Sequence, residues 1–317
     1  MRERRAIGID IGGTRLRIGL VNERLELAEY IETHEHTFLS PHESVAFIGQ
    51  TLSPLLARHG RNNILGIGVG YPGPVCGRLG STFSYCNLRD LRWNRVPLAK
   101  MLEENTALPV YLDNDANLAG LAEVHLGAGR SFQHIVYITI STGTGGAIFI
   151  DRRLYRGFLG GAGEFGHMVV DLHGSRCKCG NTGCLMSLLS GLGLERLLEE
   201  EPAGQRLLSE NAPPADCVKK LVELCRLGHP IAREMLRPLV HYVTVAFLNI
   251  IHILNPEIIV VGGALGKTLL TLYLDEVREK LRLILPKEMV DETRIQVAEL
   301  GDHNGVLGGA ILVFENV

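Results

Sequence analysis

Three cysteines within eight consecutive positions could together bind a metal ion. Cys177, Cys179 and Cys184 are separated by glycines, which let the chain turn so that the three thiolates converge. Three thiolates occupy three corners of a zinc tetrahedron, and a closed site of this kind is structural. His167 and His173 both lie a short distance upstream. The spacing therefore predicts a structural zinc site whose fourth ligand is one of these two histidines.

Two glycine-rich segments, in separate halves of the chain, have the composition of phosphate-binding turns. Residues 10–14 read Asp-Ile-Gly-Gly-Thr and residues 141–146 read Ser-Thr-Gly-Thr-Gly-Gly. Glycine lets the backbone approach an oxyanion closely, and backbone N–H groups and threonine hydroxyls donate to phosphate oxygens. Asp10 could position a water bound to Mg²⁺. One such turn is also typical of an ordinary hairpin, but two predict a polyphosphate held by both. The pair Gly262 and Gly263 would suit a nucleotide base or ribose.

Residues 113–117 (Asp-Asn-Asp-Ala-Asn) stand where a predicted strand gives way to a helix. Transfer of a phosphoryl group to an alcohol needs a carboxylate that accepts the proton of the attacking hydroxyl. Asp113 and Asp115 both have the required group. An aspartate at this place is also typical of a helix N-cap, and we expect one of the two to have that role.

Residues 161–167 (Gly-Ala-Gly-Glu-Phe-Gly-His) precede the cysteines and carry two side chains suited to sugar hydroxyls. Glu164 can accept hydrogen bonds, and His167 could bind zinc through one ring nitrogen and a hydroxyl through the other. The alternative for Glu164 is a solvated loop carboxylate. His34 and His36 also form a pair, which we interpret as a solvated strand end.

The composition favours a globular protein with two domains or one large domain. The chain has 317 residues, of which 46% are hydrophobic, and its formal net charge of -3 disfavours a nucleic-acid-coating surface. No run approaches the ~18 apolar residues of a membrane helix, and the N-terminus lacks a signal-peptide pattern. Seven cysteines, an odd number, favour metal binding over disulfides. We expect a cytoplasmic protein with neither nucleic acid nor membrane as a partner.

The apolar patterns predict an α/β protein with an internal repeat. Strands are predicted at residues 6–10, 15–21, 25–33, 64–69, 110–113, 135–140, 147–150 and 257–261. Helices are predicted from a capping box at residues 40–43, at 116–126, 265–283 and 305–314, and from Pro230 onward with a kink at Pro238. The strand, glycine turn and strand of the N-terminus recur from residue 135, which indicates two related lobes.

In order and spacing these motifs resemble the ROK family (repressor, open reading frame, kinase), over nearly the whole chain. The resemblance is carried by residues 10–14, 70–73 (Gly-Tyr-Pro-Gly), 113–117, 141–146 and 164–167, by the cysteine loop and by residues 262–263. It implies a two-lobed, actin-like ATPase (ribonuclease H-like) α/β fold with an interlobe cleft. We place the N-terminal lobe at residues 1–117 plus 301–317, and the C-terminal lobe, with the zinc loop, at residues 118–300.

The resemblance further implies a homodimeric, ATP-dependent kinase that phosphorylates a hydroxyl, usually that on C6, of a hexose or N-acetylhexosamine, with Mg²⁺ and a structural Zn²⁺. It implies that Asp115 is the general base. The implied zinc ligands are His167, Cys177, Cys179 and Cys184, which leaves His173 outside the site. The implied sugar-binding residues are Gly73, Asn87, Asn114, Asp115, Glu164 and His167. Those assigned to the nucleotide and its metal ion are Asp10, Gly12, Gly13, Thr14, Arg15, Thr142, Gly143, Thr144, Gly262 and Gly263.

Two positions depart from the family pattern. Arg15 stands where the family usually has lysine, and it keeps the charge. Met186 stands two places after the last cysteine of the loop, where the family usually has a sugar-binding glutamate. Loss of such a charge-assisted hydrogen bond weakens binding by ~1.5–3 kcal/mol. Alternatively, Met186 indicates a substrate that lacks the matching hydroxyl or carries an apolar group there.

Two alternative hypotheses therefore remain besides the kinase hypothesis. A sugar-binding pseudokinase with weak or no turnover is motivated by Met186. A regulator is the other, but family repressors carry an extra DNA-binding segment before the first strand. Here that strand begins at residue 6, and we expect no such segment.

Overall fold

The computed structural model describes residues 4–12, 15–34, 40–82, 91–201, 204–205 and 217–317. The chain forms two compact units. The first contains Met1–Arg130, Leu154–Ala162 and Leu300–Val317, and the second contains Ser131–Arg153 and Gly163–Glu299. The first unit extends beyond residue 117, the boundary expected from the sequence, because the helix that begins at Asp115 packs against the C-terminal helix. It also includes residues 154–162, which the sequence-based boundaries place in the other lobe.

The first unit is built on a five-stranded mixed sheet. Its strands are β1 (Arg5–Ile11), β2 (Leu16–Asn22), β3 (Leu27–Thr33), β4 (Ile64–Tyr71) and β7 (Val110–Asn114), beside a ribbon of β5 (Val75–Cys76) and β6 (Ser81–Thr82). Its helices are α1 (Pro41–His59), α2 (Leu98–Thr106), α3 (Asp115–Leu126) and α11 (Asn304–Phe314), with 3₁₀ turns at Arg61–Asn63, Gly77–Leu79 and Leu91–Trp93. The strand order is β3-β2-β1-β4-β7, in which β1 is antiparallel to β2 and parallel to β4, and β4 is parallel to β7.

The second unit has its own five-stranded sheet. Its strands are β8 (Ile135–Ile140), β9 (Thr144–Ile150), β10 (Arg153–Leu154), β11 (Ile258–Gly262) and β12 (Arg294–Val297), in the order β10-β9-β8-β11-β12. Its helices are α4 (Leu185–Leu188), α5 (Gly191–Glu200), α6 (Cys217–Arg226), α7 (Pro230–Leu236), α8 (Leu239–Leu254), α9 (Ala264–Arg282) and α10 (Lys287–Glu292), with a 3₁₀ turn at Phe165–His167.

The two sheets repeat one arrangement, which confirms the predicted α/β class. In each, the first strand along the chain pairs antiparallel with the second and parallel with a strand that follows a helix. The echo of the N-terminal pattern at residue 135 is thus matched by the same strand order. Strand β9 begins at Thr144 and not at residue 147, because Thr144 already pairs with Ile140.

Local sequence signals explain where two of the helices begin and break. At the start of α1, Ser40 accepts a hydrogen bond from the Glu43 N–H while the Glu43 carboxylate accepts one from the Ser40 N–H, as the predicted capping box requires. The predicted kink at Pro238 is a division of the long helix: α7 ends at Leu236 and α8 begins at Leu239. Proline causes this because it lacks the N–H of the helical ladder.

Within the described ranges, Pro230–Leu254 is the one helical stretch with the length and composition of a membrane span. Half of its most apolar window is buried inside the protein. Helix α8 packs against α9 and contributes to the largest apolar core of the second unit. This environment is that of a core helix.

Glycines allow α11 to approach the first sheet closely. A methyl group at Gly8 of β1 would overlap the carbonyl of Val306, and one at Gly68 of β4 would overlap the carbonyl of Gly309. On the other side of α11, a methyl group at Gly308 would overlap the carbonyl of Leu118 in α3. The C-terminal helix is thereby held between the sheet and α3.

Gly68→Ala should destabilise the first unit by about 1–3 kcal/mol or more, because backbone atoms must move to accommodate the methyl group. Gly301→Ala is the matched control, because a methyl group there would meet nothing within 4 Å. Urea unfolding of both variants measures the difference. Equal unfolding midpoints would contradict the close approach of α11 to β4.

Candidate active site

The candidate residues of the first unit lie at the carboxyl ends of its three parallel strands. In the sheet register Asp10 of β1 is opposite Gly70 of β4, which is opposite Asp113 of β7. The chain segments that leave β1 and β4 therefore start side by side and carry Gly12 and Gly73, and Asn114 is the last residue of β7 at the same edge. In α/β sheets this edge is where ligands bind. Gly13, Thr14 and Asn87 lie outside the described residues.

Asp10 has a largely buried carboxylate, with 13% of the side chain exposed, and an arginine that the sequence patterns did not single out holds it. The Arg17 guanidinium donates to the Asp10 Oδ2 at 3.1 Å and to the Glu32 Oε2 at 3.2 Å. Burial raises the pKa of Asp10, and the charge of Arg17 opposes this increase only in part. Arg15, also assigned to the nucleotide, lies 3.4 Å from the Glu32 carboxylate. Its backbone carbonyl accepts the Gly12 N–H at 2.8 Å.

The start of α11 lies against Asp10, a contact that the sequence motifs did not predict. A methyl group at Gly305 would meet the Asp10 carboxylate, and the charge of Asp302 adds to the increase in the Asp10 pKa. The signal available in the sequence was the Gly-Asp-His-Asn-Gly run of residues 301–305.

Neither aspartate of residues 113–117 is the helix cap that the sequence predicted. The N-cap of α3 is Asn114, whose Oδ1 accepts the N–H groups of Ala116 at 2.9 Å and Asn117 at 3.2 Å. Asn114 has the extended backbone of a cap, and an asparagine oxygen serves this role as well as a carboxylate does. The prediction is therefore wrong about which side chain caps the helix.

The two aspartates differ in how far they are buried. Asp113 is buried, and its Oδ1 accepts the Asn114 N–H at 2.8 Å and the Asn117 side-chain amide at 2.7 Å. Its Oδ2 accepts the Arg156 Nε–H at 2.7 Å. Asp115 is partly exposed at the first position of α3, where its Oδ1 accepts the Ala116 N–H at 2.8 Å. Asp113 is thus occupied by protein donors, and Asp115 has the greater access to solvent.

Gly73 and Asn114 are brought together, although 41 positions separate them in the chain. The Asn114 side-chain amide donates to the Gly73 carbonyl at 3.1 Å. Since the Asn114 Oδ1 caps α3, both ends of its amide group are held. Asn114 therefore links the segment after β4 to the first turn of α3.

In the second unit, the predicted phosphate turn joins β8 to β9. The Ser141 N–H donates to the Gly143 carbonyl at 2.8 Å, and the Ser141 carbonyl accepts the Gly191 N–H at 2.7 Å. Ser141 and Thr142 are exposed, but Thr144 is buried and its hydroxyl donates to the Leu189 carbonyl. The Thr144 side chain therefore anchors the turn from the interior, and Thr142 with the backbone of Gly143 remains accessible.

Gly262 and Gly263 lie at the same end of this sheet. Gly262 of β11 is opposite Thr139 of β8 in the register, so the glycine pair and the turn after Ile140 follow neighbouring parallel strands. Gly263 has a φ of 77°, and a side chain there would overlap the Ile140 carbonyl. Only glycine combines this conformation with this approach at low cost.

His167, Cys177, Cys179 and Cys184 form a compact cluster whose ligand atoms all lie within 4.8 Å of one another. The Cys179 and Cys184 sulfurs are 3.5 Å apart, and the Cys177 sulfur is 3.8 Å from the His167 Nδ1. A zinc tetrahedron with Zn–S of about 2.3 Å and Zn–N of about 2.0 Å requires ~3.8 Å between sulfurs and ~3.5 Å between sulfur and nitrogen. These four side chains therefore could hold Zn²⁺. His173 is exposed and is not in the cluster.

Burial and crowding shift the pKa values of this cluster. Burial, the neighbouring Cys179 thiol and the charge of Cys177 raise the pKa of Cys184 to about 12. Burial likewise raises the pKa of Cys177. Burial lowers the pKa of His167, which favours the neutral imidazole, the form that binds metals. A bound cation would favour the thiolates in turn.

Glu164 immediately precedes the 3₁₀ turn that carries His167. Its carboxylate is partly buried, and burial raises its pKa. Among the residues that the structure describes, no protein group donates a hydrogen bond to this carboxylate. The His167 N–H donates to the Glu164 carbonyl at 3.0 Å, so the two residues are held by one turn. The arrangement places the Glu164 acceptor three positions before the histidine of the cluster.

Met186 connects the cysteine cluster to the phosphate turn. Its side chain is 7% exposed and packs with Cys177 and Cys184. The Met186 sulfur accepts the Thr144 N–H at 3.2 Å and lies against Gly143. The side chain at this position therefore supports the turn of the second unit, a contact that no pattern in the sequence indicated.

Comparison with known proteins gives relatives from one family. The family model described as ROK family matches residues 6–316. A glucokinase from Halalkalibacterium halodurans is 31% identical over 320 residues, which cover 99% of this chain and 96% of the relative. A putative xylose repressor from Caldicellulosiruptor sp. is 30% identical over 263 residues, which cover 81% of this chain and 64% of the repressor. A solved ROK family glucokinase from Streptomyces griseus, in complex with glucose and AMPPNP, has a TM-score of 0.84 at 28% identity and covers 98% of this chain and 99% of that chain.

Proposed function

Because this chain belongs to the ROK family, we propose that it is a sugar kinase that transfers the γ-phosphate of Mg-ATP to a hexose or N-acetylhexosamine. The accepting group is a hydroxyl, that on C6. The observation that carries the proposal is Asp115, a partly exposed carboxylate at the sheet edge that also bears Asp10. The similarity to glucokinases along the whole chain supports the same reaction class.

In this proposal Asp115 is the general base. It accepts the proton of the sugar hydroxyl while that oxygen attacks the γ-phosphorus, and the bond from the γ-phosphorus to its bridging oxygen breaks to release ADP. Gly73, Asn87, Asn114, Glu164 and His167 bind the sugar. Among these, Glu164 has a carboxylate suited to accept hydrogen bonds from hydroxyl groups, and the contacts of Asn114 with Gly73 and α3 reduce its freedom.

The nucleotide and its Mg²⁺ are assigned to the two glycine turns and the glycine pair. The residues proposed to contact them are Asp10, Gly12, Gly13, Thr14, Arg15, Thr142, Gly143, Gly262 and Gly263. Thr144 is removed from this set, because its hydroxyl and its N–H are both engaged inside the second unit. Asp10 would position Mg²⁺-bound water, since a carboxylate oxygen is a ligand or acceptor that Mg²⁺ sites use.

We further propose that the cluster of His167 and the three cysteines holds a structural Zn²⁺. All four ligands come from protein, so the site is closed and contributes folding energy. With zinc on the His167 Nδ1, Nε2 is the ring nitrogen that we assign to a sugar hydroxyl. Reduced thiolates and an ATP substrate are consistent with a cytoplasmic protein. We also expect a homodimer, which light scattering of the purified protein would test.

An ADP-release assay with a panel of sugars tests the proposed function. The panel contains glucose, mannose, fructose, N-acetylglucosamine and N-acetylmannosamine, each with Mg-ATP. We expect at least one sugar to raise ADP release well above the sugar-free rate. If no sugar raises the ADP-release rate of the zinc-loaded wild-type protein above that of Asp115→Asn, the kinase proposal is abandoned.

Met186 motivates a second candidate, a sugar-binding protein with weak or no turnover. A methionine at this place gives no charged acceptor for a sugar hydroxyl, and its side chain is occupied by the phosphate turn. The similarity to a putative xylose repressor shows that relatives of this chain are not all named as kinases. Thermal stabilisation by a sugar without ADP release from any sugar would favour this candidate.

A further inference from the structure

The first unit includes a short loop, Leu154–Ala162, that the mechanism above does not use. The residues before and after it in the chain belong to the second unit. The loop is closed by the Ala162 N–H, which donates to the Arg156 carbonyl at 3.2 Å. It lies directly against the ribbon, because a side chain at Gly160 would overlap the carbonyl of Val75.

Arg156 is the residue of this loop that reaches the motif with the proposed base. Its Nε–H donates to the Asp113 Oδ2 at 2.7 Å, over a separation of 43 positions. The Asp113 side chain is 6% exposed and that of Arg156 is 37% exposed. A buried carboxylate is costly unless a cation and hydrogen bonds compensate its charge. Arg156 supplies the cation for Asp113.

Asp113 in turn holds the first turn of α3. Its other oxygen accepts the Asn114 N–H at 2.8 Å and the Asn117 side-chain amide at 2.7 Å. These two contacts lie on either side of Asp115 in the chain. Any change in the position of Asp113 is therefore transmitted to the residue on each side of the proposed base.

We infer that Arg156 is a positioning residue, which acts through Asp113 to hold Asn114 and Asp115 in the orientation that phosphoryl transfer requires. This inference rests on the proposed function. Arg156 stabilises the charge of Asp113, and Asp113 sets the backbone at the start of α3. A displacement of a catalytic group by about 1 Å costs on the order of 10²-fold in rate, so a pair distant from the chemistry can have a large effect.

The partly exposed guanidinium of Arg156 raises an alternative, direct contact with a phosphate group of the nucleotide. The two roles differ in what they predict. A positioning residue affects kcat and leaves the KM for ATP nearly unchanged, whereas a phosphate contact made in the ground state raises the KM for ATP. Removing the Asp113 charge should compensate the loss of Arg156 only if the arginine acts through Asp113.

The test compares Arg156→Met, Arg156→Lys and the double variant Asp113→Asn/Arg156→Met, all zinc-loaded and full-length. We expect Arg156→Met to lower kcat by about 10–100-fold with the KM for ATP changed by less than about three-fold. Arg156→Lys and the double variant should each recover part of this loss. Arg153→Met is the matched control, because Arg153 is exposed and loses the same charge three positions away. It should keep the wild-type kcat.

Amide hydrogen exchange at residues 114–117, without ligands, is the second measurement. Arg156→Met should increase exchange there, and Arg153→Met should not. Unchanged kcat and exchange in Arg156→Met would overturn the inference, as would a KM for ATP raised more than about ten-fold at constant kcat. If the wild-type protein has no turnover with any sugar, the proposed function fails. Exchange at residues 114–117 then decides the role of Arg156 independently.

Discussion

Asp115→Asn is expected to lower kcat for sugar-dependent ADP release by about 10²–10⁴-fold, the usual contribution of a general base. An amide cannot take the proton of the attacking hydroxyl. It does keep an oxygen that can accept the Ala116 N–H, as the carboxylate does at 2.8 Å, so the start of α3 should be unchanged. Calorimetry should therefore find sugar and nucleotide affinities close to those of the wild type.

The control for this variant is Asp275→Asn. Asp275 is exposed on α9 in the second unit, and its substitution changes the net charge by the same amount. It should leave kcat unchanged. If Asp115→Asn retained more than about one tenth of the wild-type kcat, Asp115 could not be the base, because that loss is smaller than proton transfer accounts for.

The second large effect is expected from Cys184→Ser. Cys184 is fully buried in the cysteine cluster, and a serine hydroxyl does not replace a thiolate as a zinc ligand. Loss of a structural metal belongs to the few mechanisms that cost about 4 kcal/mol or more. For a unit of this size that corresponds to a fall in melting temperature of about 8–16 °C. Calorimetric melting together with the zinc content measures the change.

Two control variants isolate the metal from simple burial. Cys225 is fully buried but outside the cluster, so Cys225→Ser measures the cost of a buried hydroxyl alone. His173→Ala removes a nearby exposed histidine and should retain about one equivalent of zinc. Removal of the metal from the wild-type protein with a chelator should reproduce the fall in melting temperature. A wild-type protein that melts identically with and without zinc would contradict a structural role.

The zinc variants also bear on sugar binding. The cluster holds the Nδ1 side of His167, and the same turn carries Glu164. Loss of the metal should therefore raise the KM for the sugar more than the KM for ATP. If the KM for ATP rose equally, the effect would be transmitted through Met186, whose sulfur accepts the Thr144 N–H in the phosphate turn.

Much of the fold and site could be predicted because its signals are local. The capping box of Ser40 and Glu43 and the break at Pro238 depend on residues within a few positions of one another, where helix geometry alone decides the outcome. The three cysteines of the loop lie within eight positions, so their convergence is also a local property. Their convergence, with His167 as the fourth member of the cluster, agrees with the expectation.

Contacts between distant segments were decided by the tertiary structure. The pairing of Arg156 with Asp113 spans 43 positions, and that of Thr144 with Met186 spans 42. Residue types gave no sign of either, because an exposed arginine or a buried methionine has the same local pattern wherever it packs. The cap of α3 shows the same limit, since Asp113, Asn114 and Asp115 stand side by side in the sequence and the folded backbone makes Asn114 the N-cap. The sequence by itself determined which chemical groups the protein has and which elements carry them. The burial of Asp113 in β7 and its pairing with Arg156 left Asp115 as the more accessible carboxylate, because burial and charge pairing are properties of the folded chain.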